Sequence, residues 1–151
     1  MLRRVAMALA IVAVAAGAAE LSLEQGKLSA DKPATLRVTL TAGQDLPTGV
    51  QFDLEYDAEA LDLTVEAGPT AKQASKSLRS AQIKPGKLRV LIIGFNRTTI
   101  PDGVIAVVHV SYKGKGGSKI FPIHVTAAAG TNADAKPVAV TAKDTSVTVG
   151  N

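Results

Sequence analysis

Strict alternation of apolar and polar residues is the feature that most constrains how this chain folds. It is clearest over residues 50–56, where Val50, Phe52, Leu54 and Tyr56 are separated by single polar residues. Successive side chains of a β-strand point to opposite faces, so this pattern predicts a strand with one buried face. The segment 88–93 is instead almost wholly apolar, which indicates a central strand covered on both faces.

Similar segments recur along the chain and are separated by turn sequences rich in Gly, Pro, Asn and Asp. The turns fall roughly every 8–15 residues, a spacing typical of a β-sandwich or barrel rather than of βαβ units. Residues 71–80 are predicted to form a loop or one short helical turn. The other predicted strands are 36–40, 61–65, 104–112, 120–126 and 146–149, with weaker candidates at 21–28 and 138–140.

The first residues have the pattern of a secretory signal peptide. Arg3 and Arg4 precede an uncharged apolar run over residues 5–16, and small residues follow. Cleavage is expected after Ala18 or Ala19, which makes 1–18 the signal peptide and 19–151 a single domain. The apolar run is shorter than the ~20 residues that span a bilayer, so we expect no membrane anchor. The predicted location is the periplasm or the exterior of a bacterium.

Composition excludes several classes of function. The chain has no Cys and no Trp, and five aromatic residues in all. Disulfides, zinc–thiolate sites, iron–sulfur clusters and cysteine nucleophiles are therefore excluded. Few aromatic faces and no concentrated basic cluster argue against a nucleic-acid partner.

Residues that could carry catalysis or hold a metal are sparse. His109 and His124 are the only histidines, and we interpret them as two separate, half-buried or surface side chains. Acidic residues between Asp53 and Asp62 lack the spacing of a calcium loop and are interpreted as a solvated face. We therefore predict no enzyme, no catalytic residue, no metal and no cofactor.

Two segments resemble the cohesin family. Gly49-Val-Gln-Phe-Asp-Leu-Glu-Tyr-Asp57 and Gly86-Lys-Leu-Arg-Val-Leu-Ile-Ile-Gly94 are similar to two cohesin motifs, and Ile100-Pro-Asp-Gly-Val-Ile-Ala106 continues the second. The similarity covers essentially the whole mature chain, in order. It implies an all-β, nine-stranded jelly-roll sandwich, related to carbohydrate-binding domains, that acts as the receptor half of a cohesin–dockerin pair.

Five residues of these motifs are interpreted as structural. Phe52 belongs to the core, the Tyr56 ring closes the core edge while its hydroxyl reaches a turn, and Asp57 accepts backbone N–H bonds at a turn. Asp102 and Gly103 form a tight turn in which Gly is free to adopt positive φ.

The resemblance also implies a partner-binding face, at which this sequence departs from cellulosomal cohesins. Gly49 and Gln51 occupy positions where those cohesins carry Asn and Asp, and Phe95 falls near a family glutamate. A different dockerin or another surface protein is therefore the expected partner. An alternative is that residues 71–80 fold over the apolar side chains of Val90 and Ile92 and cover them. The predicted face consists of Gly49, Gln51, Asp53, Val90, Ile92 and Gly94.

The sequence thus predicts an exported protein-binding module that receives a dockerin or a similar partner and is associated with polysaccharide catabolism. Two alternatives remain open. One is a carbohydrate-binding module that contacts polysaccharide directly, which the scarcity of aromatics disfavours. The other is a structural subunit of a bacterial envelope or secretion assembly.

Overall fold

The computed structural model describes residues 18–29, 31–114 and 119–150 and shows a sandwich of two β-sheets with one short helix. The elements in chain order are β1 (Ala19–Leu23), β2 (Gly26–Leu28), β3 (Ala34–Thr41), β4 (Gly49–Glu55), β5 (Leu61–Ala67), α1 (Pro69–Gln73), β6 (Ser77–Lys84), β7 (Lys87–Ile93), β8 (Gly103–Tyr112), β9 (Lys119–Thr131), β10 (Pro137–Val138), β11 (Val140–Lys143) and β12 (Thr145–Val149). The predicted all-β sandwich is confirmed, and the predicted signal peptide lies outside the described residues except for Ala18.

The strands form sheets of five and seven members. The first has the order β11-β1-β3-β8-β5, and the second has the order β2-β12-β9-β4-β7-β6, with β10 paired to β9. Neighbours pair antiparallel except β1 with β11 and β2 with β12, which are parallel. No helix among the described residues is long and apolar enough to cross a membrane.

Aliphatic side chains from both sheets fill the space between them, as the alternating pattern predicts. Phe52 is the largest fully buried side chain, and Leu36 and Leu54 are equally inaccessible. Burial of such side chains removes apolar surface from water, which is the main favourable contribution to folding. The packed sheets leave their outward sides as two faces on opposite sides of the core.

The segment 71–80 differs from its prediction. Its first part is helical and forms the end of α1, in agreement with a short turn, but β6 begins at Ser77 where a loop was expected. Seven of the eight positions of β6 are exposed, because β6 lies at the edge of the second sheet. Because both sides of this edge strand are exposed, its sequence shows no alternation of apolar and polar residues.

Strand β9 is longer than the predicted 120–126. It continues through Ala127, whose φ of 51° accompanies a register shift against β4 between Gln51 and Asp53. This irregularity is a β-bulge, which changes the side on which the following residues lie and so hides the second half of the strand from a period-two pattern. β9 accordingly ends only at Thr131.

The motif residues take largely the structural roles that were predicted. Asp57 accepts a hydrogen bond from the Glu59 backbone N–H at 3.0 Å. The half-buried Tyr56 packs against the core, but its hydroxyl meets the Gln82 side chain on β6 rather than a turn.

The second motif turn lies at the start of β8. Asp102 accepts a hydrogen bond from the Ala42 N–H at 2.7 Å and so ties this turn to the end of β3. Gly103 has a φ of 145°, and a Cβ atom there would collide with the Thr70 side chain. Only glycine combines this conformation with that close approach.

Candidate docking face

The outward side of β6, β7, β4 and β9 forms a continuous surface, which we call the front face. Strand pairing places its side chains in rows that cross the four strands. The first row holds Ser77, Ile93, Gly49 and Thr131, and the second holds Arg79, Leu91, Gln51 and Ala129. The third and fourth rows contain Ala81, Arg89, Asp53 and Thr126, then Lys84, Lys87, Glu55 and His124.

A shallow apolar cleft occupies the first two rows. Gly49 has no side chain to fill the cleft, and a Cβ on Gly49 would lie 3.3 Å from the Thr131 hydroxyl and 3.7 Å from the Ile93 side chain. Ile93 is 49% exposed at the cleft edge, and Leu91 is half-buried. The cleft is lined by Gly49, Val50, Gln51, Leu91, Ile93, Ala129, Gly130 and Thr131.

Phe95 extends the apolar end beyond β7. The ring is fully exposed, which is unusual for an aromatic side chain in a chain with so few of them. Its neighbour Gly94 packs so closely on the α1–β6 turn that an added Cβ would lie 2.9 Å from the Ser75 carbonyl oxygen.

A buried lysine fixes the loop that carries Phe95. The Lys76 ammonium group donates to the Asn96 side-chain oxygen at 2.6 Å and to the Asn96 carbonyl oxygen at 3.3 Å. The Asn96 amide in turn donates to the Ser75 carbonyl at 3.2 Å. Lys76 is only 4% exposed, and desolvation lowers the pKa of its amino group. Phe95 is therefore presented on a rigid base.

An ion pair lies at the centre of the third row. The Arg89 guanidinium donates to both Asp53 carboxylate oxygens, at 2.9 and 3.0 Å, and Lys87 approaches to 3.8 Å. The hydrogen bonds from Arg89 hold the pKa of the Asp53 carboxyl below its usual value. Asp53 is fully buried, so its assignment to a solvated face was wrong. It shapes the front face by orienting Arg89.

Positive charge dominates the second to fourth rows. The cationic side chains that point outward there are Arg79, Lys84, Lys87 and Arg89, against the two carboxylates of Asp53 and Glu55, and Asp53 is already neutralised by Arg89. Within the described residues, no salt bridge of 4.0 Å or less involves Arg79 or Lys84, which are both exposed. The front face thus has an apolar end and a basic end.

The structure places two of the predicted face residues elsewhere. Val90 and Ile92 are 0% exposed and pair with Phe52 and Val50, whose side chains point into the core. Leu91 and Ile93 occupy the outward positions instead, so the prediction for Val90 and Ile92 was wrong. Arg89 contained the signal, because a charged side chain in a central strand must point outward and sets the alternation for its neighbours.

The other predicted face residues lie on or beside the front face. Gly49 and Gln51 contribute to the cleft, and Gly94 is exposed in the loop after β7. Residues 71–80 do not cover the cleft, because β6 pairs beside β7 in the same sheet. The outward position of Leu91, the exposure of Phe95 and the contribution of Ala129 were not predicted.

The two histidines lie in different sheets, as the interpretation of two separate side chains requires. His124 on β9 bonds to the Asp144 carboxylate at 2.9 Å, and this hydrogen bond lowers the pKa of the Asp144 carboxyl. His109 on β8 lies 3.3 Å from a Glu66 oxygen on the outer side of the five-stranded sheet. Within the described part of the chain, no group of three His, Cys, Asp or Glu residues is arranged to hold a metal ion.

The family comparison agrees with the two-sheet fold and its motifs. The family model described as "Cohesin domain" matches residues 20–149, nearly the whole chain. This chain belongs to the cohesin family, and the predicted resemblance is confirmed. Comparison with curated protein sequences finds no match.

Solved structures with the same fold include several cohesins bound to dockerins. The OlpA cohesin–Doc918 dockerin complex of Clostridium thermocellum is 18% identical, with a TM-score of 0.77, and the match covers 89% of this chain and 100% of that chain. The sixth cohesin of Acetivibrio cellulolyticus scaffoldin B, in complex with a Cel5 dockerin mutant, is 18% identical with a TM-score of 0.76, covering 88% and 99%. A non-cellulosomal cohesin from the archaeon Archaeoglobus fulgidus is 12% identical with a TM-score of 0.71, covering 89% and 93%.

Proposed function

We propose that this chain is a non-catalytic protein-binding module that receives a dockerin-like partner on its front face. The observation that carries the proposal is the exposed apolar cleft across β7, β4 and β9, continued by Phe95, on a chain of the cohesin family. An apolar centre surrounded by polar and charged groups is the usual anatomy of a protein interface.

The shape of the face favours a protein over a small molecule. The cleft is shallow and open, whereas small-molecule sites are usually concave pockets that enclose most of the ligand. Direct polysaccharide binding would gain from flat aromatic platforms, and Phe95 is the one exposed large aromatic side chain in the described residues.

The test is a substitution that fills the cleft without disturbing the core. Ala129→Arg places a long charged side chain on an exposed position of β9 between Gln51 and the partner. Thr64→Arg is the matched control, because Thr64 is exposed on β5 in the other sheet. Both proteins are titrated by calorimetry with purified dockerin modules encoded in the same genome.

We expect wild type and Thr64→Arg to bind at least one dockerin with equal affinity, and Ala129→Arg to lose at least about 100-fold. If Ala129→Arg bound dockerin with the same affinity as wild type, the partner would not bind at the front face. Failure of every dockerin to bind wild type, together with retention of the domain on insoluble polysaccharide, would replace the dockerin-like partner with a glycan.

We further propose that the module is exported and acts in polysaccharide breakdown, with cleavage after Ala18 rather than Ala19. Ala19 is fully buried, pairs with Val140, and its nitrogen donates to the Ala139 carbonyl at 2.9 Å. Cleavage after Ala19 would remove this residue from the core. The intact mass of the exported protein should correspond to an N-terminus at Ala19, and a mass that retains residues 1–16 would contradict export by this signal.

A further inference from the structure

We infer that the partner of the front face is acidic: it carries carboxylates opposite Arg79 and Lys84, and an apolar recess that receives Phe95. This inference rests on the proposed function and specifies the partner chemistry at that same face. Two independent features carry it, the unpaired positive charge of Arg79 and Lys84 on β6 and the exposed aromatic ring on a loop that is tied down by hydrogen bonds.

Several charged side chains on and beside the front face are already paired within the chain. Asp53 is held by Arg89 and Lys87, so it offers no exposed carboxylate to a partner. At the apolar end, Arg97 bonds to Asp134 at 3.3 Å and is paired within the chain. The unpaired cations are therefore Arg79 and Lys84 on β6, and a surface rich in Asp and Glu is their complement.

The loop that carries Phe95 is already held in place before a partner binds. A fully buried Phe contributes roughly 150–250 Å² of covered surface, and aromatic side chains are frequent binding hot spots. The Lys76–Asn96 contacts tie down the residue that follows Phe95, and Gly94, which precedes it, packs closely against the Ser75 carbonyl oxygen. Less conformational entropy is lost on binding when the anchor is already ordered. Because the ring is fully exposed, a recess in the partner would cover more of it than a flat surface would.

The separation of the two ends limits the size of the contact. Ile93 and Lys87 are six positions apart on β7, which corresponds to about 20 Å at ~3.3 Å per residue. A helix of about 13 residues has the same length. One helix with acidic residues at one end and an apolar recess beside the other end therefore fits the face. A second copy of this chain is a poorer complement, because its face carries the same excess of cations.

The test selects binders without assuming their charge. A phage library of dockerin modules, randomised at surface residues, is selected on the full mature domain, and the enriched clones are purified. Their affinities are measured at low and high salt for wild type, Phe95→Ser and the double variant Arg79→Glu/Lys84→Glu. The controls are Val107→Ser, which changes a half-buried apolar residue on the outer side of β8 in the other sheet, and Lys32→Glu/Lys113→Glu, which makes the same change of net charge elsewhere.

We expect the enriched surfaces to be acidic beside an apolar recess. Phe95→Ser should weaken binding by about 30-fold or more at either salt concentration. Arg79→Glu/Lys84→Glu should weaken it about tenfold at low salt and less at high salt, because salt screens exposed charges. Neither control should change affinity by more than about twofold.

Two results overturn the inference while leaving the proposed function intact: enriched clones that are neutral or basic, or clones that bind both front-face variants like wild type yet fail to bind Ala129→Arg. Clones that also bind Ala129→Arg normally contradict the proposed function. Selection of no binder at all contradicts both, and self-association of the domain would assign the face to a second copy.

Discussion

The two outward faces of this sandwich are built on the same backbone geometry but expose different chemistry. The outer side of β1, β3, β8 and β5, which we call the back face, carries threonines and charged residues that pair within the chain. Arg37 bonds to Glu24 at 2.6 Å, Lys143 lies 3.2 Å from Glu20, and His109 lies near Glu66. The front face instead exposes Ile93 and Phe95 and leaves cations without partners.

The difference shows that the fold does not by itself make a binding face. Both faces have strands of similar length in flat antiparallel arrays, and each has a core side filled with aliphatic residues. What distinguishes the front face is the polar and apolar contact that the chain leaves unmade. Exposed apolar patches that are surrounded by polar residues often mark sites where another protein binds.

The largest effect is expected when a carboxylate is placed on either side of β7, because one side faces the core and the other faces water. Ile92→Asp buries a charge in the core and should lower the free energy of unfolding by about 4 kcal/mol or more. Ile93→Asp leaves the new charge in water and should cost less than about 1 kcal/mol while abolishing partner binding. Urea denaturation of both variants measures the difference, and equal losses would mean that the side assignment of β7 is wrong.

A second prediction concerns the rigid base of the front face. Asn96→Ala removes both side-chain contacts that hold Lys76 and Ser75, and leaves the buried ammonium group with one carbonyl acceptor. We expect a loss of about 2 kcal/mol in unfolding free energy. Adding Lys76→Met should recover part of it, because the uncompensated charge is then gone.

The matched change on the back face is Thr35→Ala. It removes an exposed contact to His109 at 3.4 Å and should cost less than about 0.5 kcal/mol. A stability loss for Asn96→Ala no larger than that for Thr35→Ala would show that the loop carrying Phe95 is not fixed by Lys76.

The third prediction uses acid. The pKa of Asp53 is lowered in the folded state, so the folded state holds its proton less tightly than the unfolded chain does. The resulting stabilisation is present above the ordinary carboxyl pKa of about 4 and is lost as the pH falls through the lower folded value. Thermal melts between about pH 5 and pH 2 should therefore fall less steeply for Asp53→Asn than for wild type.

Asp62→Asn, at an exposed carboxylate on β5, is the control for the acid series. Its melting temperature should follow the wild-type dependence on pH. If Asp53→Asn followed it as well, the Asp53–Arg89 pair would make no pH-dependent contribution to stability.

The smallest effect is expected on the back face. Lys143→Gln breaks an exposed salt bridge to Glu20, and exposed pairs of this kind contribute about 0.2–1 kcal/mol at most. We expect the free energy of unfolding, measured by chemical denaturation, to fall by an amount near the lower limit of this range. The affinity for the partner should not change. A loss of binding in Lys143→Gln would show that the back face also contributes to recognition.

Sequence reasoning recovered the parts of the fold that alternate. The period-two segments 36–40, 50–56 and 61–65 became β3, β4 and β5, the apolar segment 88–93 became most of β7, and the long β-branched segment 104–112 became most of β8. It missed β6, whose exposed edge position leaves no pattern, and it merged the short strands into two weak candidates at 21–28 and 138–140. Strands of two to four residues are too short to display a period.

The candidate site was harder to predict because it depends on register. The choice between Ile92 and Ile93 requires knowing which side of β7 meets Phe52, and pairing across strands decides this. The hydrogen bond between the Lys76 and Asn96 side chains, which holds the loop that carries Phe95, links residues that are 20 positions apart in the sequence. Neither side chain has a local pattern that predicts the contact, because it exists only once β6 has paired with β7.

The central claim is that partners bind the front face and not the back face. The most direct measurement is the change of backbone amide NMR signals when ¹⁵N-labelled domain is titrated with the dockerin module that binds it most tightly. The account predicts that shifts concentrate at Gln51, Leu91, Ile93, Phe95 and Ala129, while Thr35, Thr64 and His109 remain unchanged. Shifts centred on β3, β8 and β5 would contradict it.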